Sequence, residues 1–554
     1  MSTYTSRFIP FLLLMLLVAC GVTPASTPAA TSTGTPLPAT ASATVPAPTA
    51  TAAFTATPQP RLSFSDLGPE QQNFPVNVNP LTARAVSDPS LLGLPAVLVS
   101  ISNMPVTARP QAGPGFASWV FELFIGKGAT RFMNVFYGEY PRIVPNVTGG
   151  CAVRTQLLHP QGAWVGNRVW LDENQNGLQD AWEFGIGGVC VHLLSESGDI
   201  VAETSTDSNG YYALEAAPAR YQIEYQLPAH YRFTTSDLGD EDNDSDADVD
   251  TGRTAFFMLD TTASYFDAGL ILSPDAPIAT SSIVPPNWFI PNEPYVGPIR
   301  SGRLTYNQIG RLFPNSCLVY ASAAWDIGER LDACEIVRGA DTTTPNSALL
   351  KVTRLRQLAE ENLNPKQPIN YSGNLFSYSL PSNGKPADQL SVYYHSFTQS
   401  GWNYDPISQT YLRSTDQADG KGEFSPANDR LTGRQMAFEN VIVLFADHER
   451  FRHNQFEINL QLGQKGWAWL FRDGQAFKVQ WSTLSRDWEQ TTGLMRPIHF
   501  VDSNNNPIPL HPGRTWIHLV TPYSAVIDHG DGTWQLQFVE PVDPLDTPTP
   551  EPSP

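Results

Sequence analysis

Residues 166–193 read GNRVWLDENQNGLQDAWEFGIGGVCVHL. Within them Asp172, Asn174, Asn176, Gly177, Asp180 and Glu183 follow the spacing D-x-[DN]-x-[DN]-G-x5-E. Oxygens at alternate positions of a tight loop converge on one point, and Gly177 permits the sharp turn. The backbone carbonyl of Leu178 joins them, and Glu183 closes the ring with two oxygens. The hard cation that takes about six to eight oxygens is calcium, so the spacing predicts a calcium loop. The plain alternative is a polar turn. Val165, Val169 and Trp170 precede the loop and read as strand residues, so the loop is expected on a β-domain rather than between two helices.

Further strand signals follow in GVCVHLL, DIVAETST, YYALEAA and RYQIEYQL, separated by SG, DSNG and PA turns. Charge also changes abruptly here. Between Gly162 and Leu270 stand twenty Asp or Glu against four Lys or Arg, which is most of the formal net charge of −20. Such a step marks an independent domain. Its acidic run DLGDEDNDSDADVD holds eight carboxylates from Asp237 to Asp250. Either it is a solvated loop or it relieves its own repulsion with a second calcium ion, Asp240, Asp242, Asp244 and Asp246 being the alternating candidates. With the quoted stretch, TDSNGYYAL and the closing YFDAGL, the segment resembles the SdrD B-like repeat domain of Gram-positive surface adhesins. The resemblance implies an immunoglobulin-like β-sandwich over 161–271, stiffened by calcium and serving as a spacer.

On either side lies a different pattern. Ala96–Ile101 and Phe132–Tyr137 read as strands, and SALLKVTRLRQLAEENLNP reads as a helix with Leu350, Leu355, Leu358 and Ala359 on one face and Pro365 past its end. Asn103, Arg109-Pro110-Gln111, Glu122, Thr130-Arg131-Phe132 and Gly297-Pro298-Ile299-Arg300-Ser301-Gly302-Arg303 together resemble the N-terminal domain of the YerB-like lipoproteins, whose function is unassigned. Residues 386–542 resemble the C-terminal domain of that family through Tyr404-Asp405, Tyr411-Leu412-Arg413, Asn440-Val441-Ile442-Val443, Phe471-Arg472-Asp473-Gly474 and Gly513-Arg514-Thr515-Trp516. In the family the two halves of the N-terminal domain run on almost directly. Here they fall at 62–160 and 295–385, with a Pro-rich return strap at 272–294. The expected architecture is a multidomain α+β chain. A mixed α/β core is split by an inserted β-sandwich and followed by a β-rich C-terminal domain. Cys151 with Cys190, and Cys317 with Cys334, are one of three pairings that four cysteines allow.

The ends supply an address. Arg7 precedes an apolar stretch from Phe8 to Ala19, too short to span a bilayer of roughly 30 Å, which reads as a signal peptide over 1–19. Leu17-Val18-Ala19-Cys20 resembles a lipobox, which implies lipidation of Cys20. Residues 20–61 form a Thr/Pro/Ala tether, and 543–554 are a similar tail. The protein is expected outside the cytoplasm, held to the membrane by its N-terminal lipid. A net charge of −20 argues against a nucleic-acid partner.

Signs of chemistry are few. There is no G-x-S-x-G elbow, P-loop, dinucleotide fingerprint or S-x-x-K. His448-Glu449-Arg450-Phe451-Arg452-His453 spaces its histidines at i+5, so they cannot share a helix face. Arg109, Arg131, Arg300 and Arg303, with Asn103, Gln111 and Glu122, form the candidate ligand-binding set. Guanidinium forks suit carboxylates and phosphates. Alternatively, Arg–Glu pairing such as Glu122 with Arg131 fixes the fold. YerB-like relatives carry a His after R-S-x-R and another in P-H-N. Here Tyr320-Ala321-Ser322 and Thr344-Pro345-Asn346-Ser347 stand in those places. The expected function is an anchored binding or structural protein recognising an anionic envelope ligand or a protein partner. The alternative is an envelope hydrolase or transferase using Glu122 with a second carboxylate such as Asp405.

Overall fold

Five apolar runs, VLVSIS (Val97–Ser102), WVFELF (Trp119–Phe124), TRFMNVF (Thr130–Phe136), NVIVLF (Asn440–Phe445) and TWIHLV (Thr515–Val520), are buried along nearly their whole length. Continuous rather than alternating apolar character is the mark of strands covered on both faces. They form the middle of an 11-stranded sheet. The computed structural model describes residues 66–142, 149–151, 162–239, 243–260, 263–274, 294–339, 346–452 and 455–541. Cys20, the two terminal segments and most of the Pro-rich strap lie outside them, as do Asp240 and Asp242.

The sheet order places Trp119–Phe124 between Thr130–Phe136, antiparallel, and Thr515–Val520, parallel, with Glu122 opposite His518. The segments resembling the two family domains therefore share one sheet. On one face Val99, Val120, Phe132, Val443 and Trp516 pack against a second, seven-stranded sheet through Leu390, Val392, Trp402 and Tyr411. On the other, Leu98, Phe121, Met133, Ile442 and Ile517 pack on Tyr306, Ile309, Phe313, Tyr371 and Phe376. The helical share is smaller than a mixed α/β core suggests. The described α-helices are Thr305–Arg311, Trp325–Gly328, Val352–Glu361 and Asp487–Thr492. The third of these buries Leu355, Leu358 and Ala359, while Leu350 precedes it in a two-residue strand.

Strands from Trp164–Leu171 to Ala268–Leu272 build a sandwich with its own core, including Val169, Val191, Leu193, Ile223, Tyr225 and Leu270. One sheet runs Phe257–Leu259, Ala219–Tyr225, Cys190–Ser195, Ile200–Ser205. The other centres on Trp164–Leu171, which pairs with Tyr211–Glu215, Ala263–Tyr265 and Ala268–Leu272. Disulfides join Cys151 to Cys190 and Cys317 to Cys334.

Candidate functional site

The loop after Trp164–Leu171 closes on itself. Asp172, buried, accepts the backbone N–H of Asn176 at 3.2 Å and of Gly177 at 3.0 Å, and the Thr234 hydroxyl. Glu183 reaches back to the N–H groups of Glu173 (2.8 Å) and Asp180 (3.0 Å). Asn174 and Asn176 donate their amides to Asp180 at 2.8 and 3.2 Å. Gly177 has φ +76°, and a Cβ there would meet Leu238 Cδ1 at 2.7 Å and the Thr235 carbonyl at 2.9 Å, so only glycine fits. Burial pushes the Glu183 carboxyl up to about 7, and the negative charges of Asp172 and Asp180 add to it against the pull of the two N–H groups. The buried Oε1 of Gln179 in the same loop has no hydrogen-bond partner. Carboxylates with amide and backbone oxygens at this spacing are the donor set of a hard cation, and they fit calcium. Among the described residues, no three His, Cys, Asp or Glu side chains make a cage by themselves. A loop of this type draws on Asn and backbone oxygens as well.

The second acidic run lies alongside. Leu178 bridges to Asp244, and Gln179 N–H donates to the Asn243 carbonyl at 2.6 Å. Asp244 accepts the Gly239 N–H at 2.9 Å. Asp246 accepts the N–H of Asp267 at 2.6 Å. Asp267 is fully buried, bound by Asn167 Nδ2 (2.7 Å) and Arg168 N–H (2.9 Å), and burial with the adjoining Asp246 charge lifts its carboxyl well above the ordinary range. Asp267 belongs to YFDAGL but was not among the candidate ligands. A lone carboxylate inside an otherwise apolar strand end was the available signal.

The seven candidate residues of the larger body divide into two groups. Glu122 is buried at the sheet centre and does not pair with Arg131. Its partners are Arg413 at 3.5 Å, the Thr130 hydroxyl at 2.8 Å and Trp516 Nε1 at 3.2 Å. The Arg413 guanidinium lies 4.7 Å from the Trp516 ring centroid, 5.1 Å from Phe132 and 5.8 Å from Trp402. These π-faces stand in for the hydrogen bonds its Nε and Nη2 lack. Trp402 Nε1 donates to His518 Nε2 at 3.0 Å. The imidazole is therefore neutral with its proton on Nδ1, facing Glu122 at 3.5 Å and Tyr394 at 3.4 Å. Burial and the Arg413 charge hold its pKa far below the ordinary value. Arg109 donates to the Asp416 carbonyl at 2.6 Å and lies 3.7 Å from its carboxylate. Asn103 donates to Thr130 at 2.8 Å, and Gln111 to the Ser102 carbonyl at 3.1 Å. Two cations, Arg109 and Arg413, face two anions, Glu122 and Asp416, in this cage, and of the seven candidates it holds Asn103, Arg109, Gln111 and Glu122. Arg413, His518, Trp402, Trp516 and Asp416 were missed because they lie far away in sequence.

Arg131, Arg300 and Arg303 form the other group. Arg131 stands opposite Ser102 in the sheet, and Arg300 Nε donates to Ser102 Oγ at 3.1 Å. Arg300 Nη2 donates to Asn346 Oδ1 at 2.9 Å. Arg131 bonds only the carbonyls of Met104 and Thr130. Arg303 bonds Ser301 and the Gly302 carbonyl. No described carboxylate pairs with any of the three, and the buried Nε atoms of Arg131 and Arg303 have no partner. Burial, with the neighbouring charges of Arg303 and Arg300 and against the pull of Tyr306, lowers Arg131 to about 9. The segments in which relatives carry His flank this group: Asn346 holds Arg300, and the Ser322 carbonyl accepts the Gly302 N–H at 2.6 Å. Asp405 lies elsewhere, capping a turn through the Ile407 and Ser408 N–H groups at 3.2 Å.

The SdrD B-like domain family matches residues 163–270. The N-terminal domain of the DUF3048 family, of unknown function, matches 81–183, and its C-terminal domain matches 390–517. A "Fibrinogen-binding protein" of Staphylococcus epidermidis is 41% identical over 85 residues, 15% of this chain and 8% of that protein. "Serine-aspartate repeat-containing protein C" of Staphylococcus aureus is 36% identical over 107 residues, 19% of this chain and 12% of that protein. The shared part is thus about a tenth of the length of these curated relatives. The crystal structure of the YerB protein from Bacillus subtilis aligns over 80% of this chain and 96% of its own, with 16% identity and a TM-score of 0.41. Among the described residues no helix is long and apolar enough to cross a membrane. The chain thus matches both domains of the DUF3048 family, with an SdrD B-like domain between them.

Proposed function

We propose that this is a lipid-anchored extracytoplasmic binding protein. Its DUF3048 body holds an anionic ligand of the cell envelope, or an acidic protein partner, through Arg131, Arg300 and Arg303, and its sandwich is a calcium-stabilised module. One observation carries the reading. Three neighbouring guanidiniums lack a carboxylate partner in a chain of net charge −20. A merely structural arginine is normally paired, as Arg413 and Arg109 are. Cys20 is the proposed lipid site. The SdrD B-like domain supports the extracytoplasmic address. Calcium would be held by Asp172, Asn174, Asn176, the Leu178 carbonyl, Asp180 and Glu183, and a second ion by Asp244 and Asp246 with Asp267. When bound, it neutralises carboxylates that otherwise repel one another.

The test uses purified cell-wall sacculi and the chain from Pro58 onward, which holds together as one unit. Protein should pellet with the sacculi without releasing soluble fragments, and Arg300→Ala/Arg303→Ala should lower pelleting about tenfold, the scale of a lost charged contact. Fragment release would instead make the protein a hydrolase. Neither pelleting nor release would discard the cell-wall ligand and leave a protein partner.

A further inference from the structure

The calcium-type loop lies on the face through which the sandwich meets the larger body, where Ser208 Oγ also accepts the Gln435 N–H at 3.4 Å. Glu173, the loop's second residue, pairs with Arg142 at 2.7 Å. Phe184 follows Glu183 directly. Its ring lies 5.5 Å from Phe116, with the Arg142 guanidinium 4.7 Å and the Arg434 guanidinium 5.2 Å from its centroid. Arg434 also donates Nη2 to the Gly185 carbonyl. Phe184 packs against the core beneath the main sheet rather than against the sandwich's own core. The Glu183 carboxylate, one peptide unit away, binds the N–H of Glu173. One side chain thus sets the positions of both docking residues.

From this geometry we infer that the loop is a cation-dependent docking surface: calcium on residues 172–183 fixes Glu173 and Phe184 in their seats on Arg142, Arg434 and Phe116, so that loading couples the sandwich to the DUF3048 body. The inference rests on the calcium reading above. Without the ion, the gathered carboxylates of Asp172, Asp180 and Glu183 push the loop open, and Phe184 has no rigid base. The insert then responds to calcium as a coupled part of the molecule, where a passive spacer would not.

Hydrogen exchange on the chain from Pro58 onward tests this, with calcium alone and with chelator, beside a calorimetric calcium titration. Calcium should slow exchange about tenfold or more both in the loop and in the host segment 430–435. In Phe184→Ala, and separately in Arg142→Gln, calcium should still bind and slow the loop while the host segment stops responding. A host segment indifferent to calcium in the unmodified chain, with the loop responding, would overturn the coupling and leave the calcium reading standing. Absence of calcium binding in the titration would overturn both.

Discussion

Glu122 and Arg413 are each about 1% exposed at their side chains and lie 3.5 Å apart, with burial pushing the carboxyl up and the guanidinium down. Each is tolerable because the other is there. Removing one leaves an uncompensated charge in a dry core, so Glu122→Gln or Arg413→Met alone should cost about 3–5 kcal/mol in urea unfolding. The double variant should cost at least about 1 kcal/mol less than the sum, because the two changes share one interaction. A strictly additive result would mean that the pair is not coupled. At this scale the sequence was half legible. The motif positions of Asn103, Arg109, Gln111, Glu122, Arg131, Arg300 and Arg303 singled out buried and half-buried polar residues of the larger body. Which of them are paired depends on Arg413, Asp416 and His518, which reach the same point from other strands, and residue spacing carries no record of that.

Elements were legible where one local rule dominates. VLVSIS and TRFMNVF have enough β-branched and aromatic residues to declare themselves, and Leu355, Leu358 and Ala359 declare the helix Val352–Glu361. WVFELF did not, because its charge interrupts the run and only Arg413 explains it. Turns are fixed by partners outside them. The turn Pro114–Phe116 is gripped by Asp429, which accepts the N–H of Gly113 at 2.9 Å and of Gly115 at 2.8 Å, and also that of Leu431 at 2.9 Å. Asp429→Ala strands three donors and should cost about 2–4 kcal/mol, read as a lower urea midpoint with an unchanged slope. A loss under about 0.5 kcal/mol would show that water replaces the carboxylate freely.

For the whole molecule, the insert could be read from the sequence because it is self-contained. Its motifs, turns and charge step all lie within it, and the strand pairings of its two sheets stay between Trp164 and Leu272. The fusion of the two family domains into one sheet could not, because pairing between distant strands leaves no periodicity. The difference predicts how fragments behave. Residues 162–272 alone should melt cooperatively, at a temperature that calcium raises and chelator lowers. Residues 386–541 alone should aggregate, since Asn440–Phe445 and Thr515–Val520 would lose Trp119–Phe124 and bare an apolar edge. A soluble, cooperatively folding 386–541 would show that the shared sheet is dispensable.

Trp516 and Glu122 touch across 394 residues of sequence. A chain made from its N-terminus presents Trp119–Phe124 early, with Thr130–Phe136 on one side and nothing on the other. The matching strand arrives only when nearly all the rest has been synthesised. Contacts so far apart close slowly, and open apolar edges recruit other chains in the meantime. The sandwich, complete within about a hundred residues of chain, can be finished while the sheet it interrupts is still waiting. Its yield in a cell is therefore set by whatever covers that edge during the delay, more than by the stability of the finished molecule.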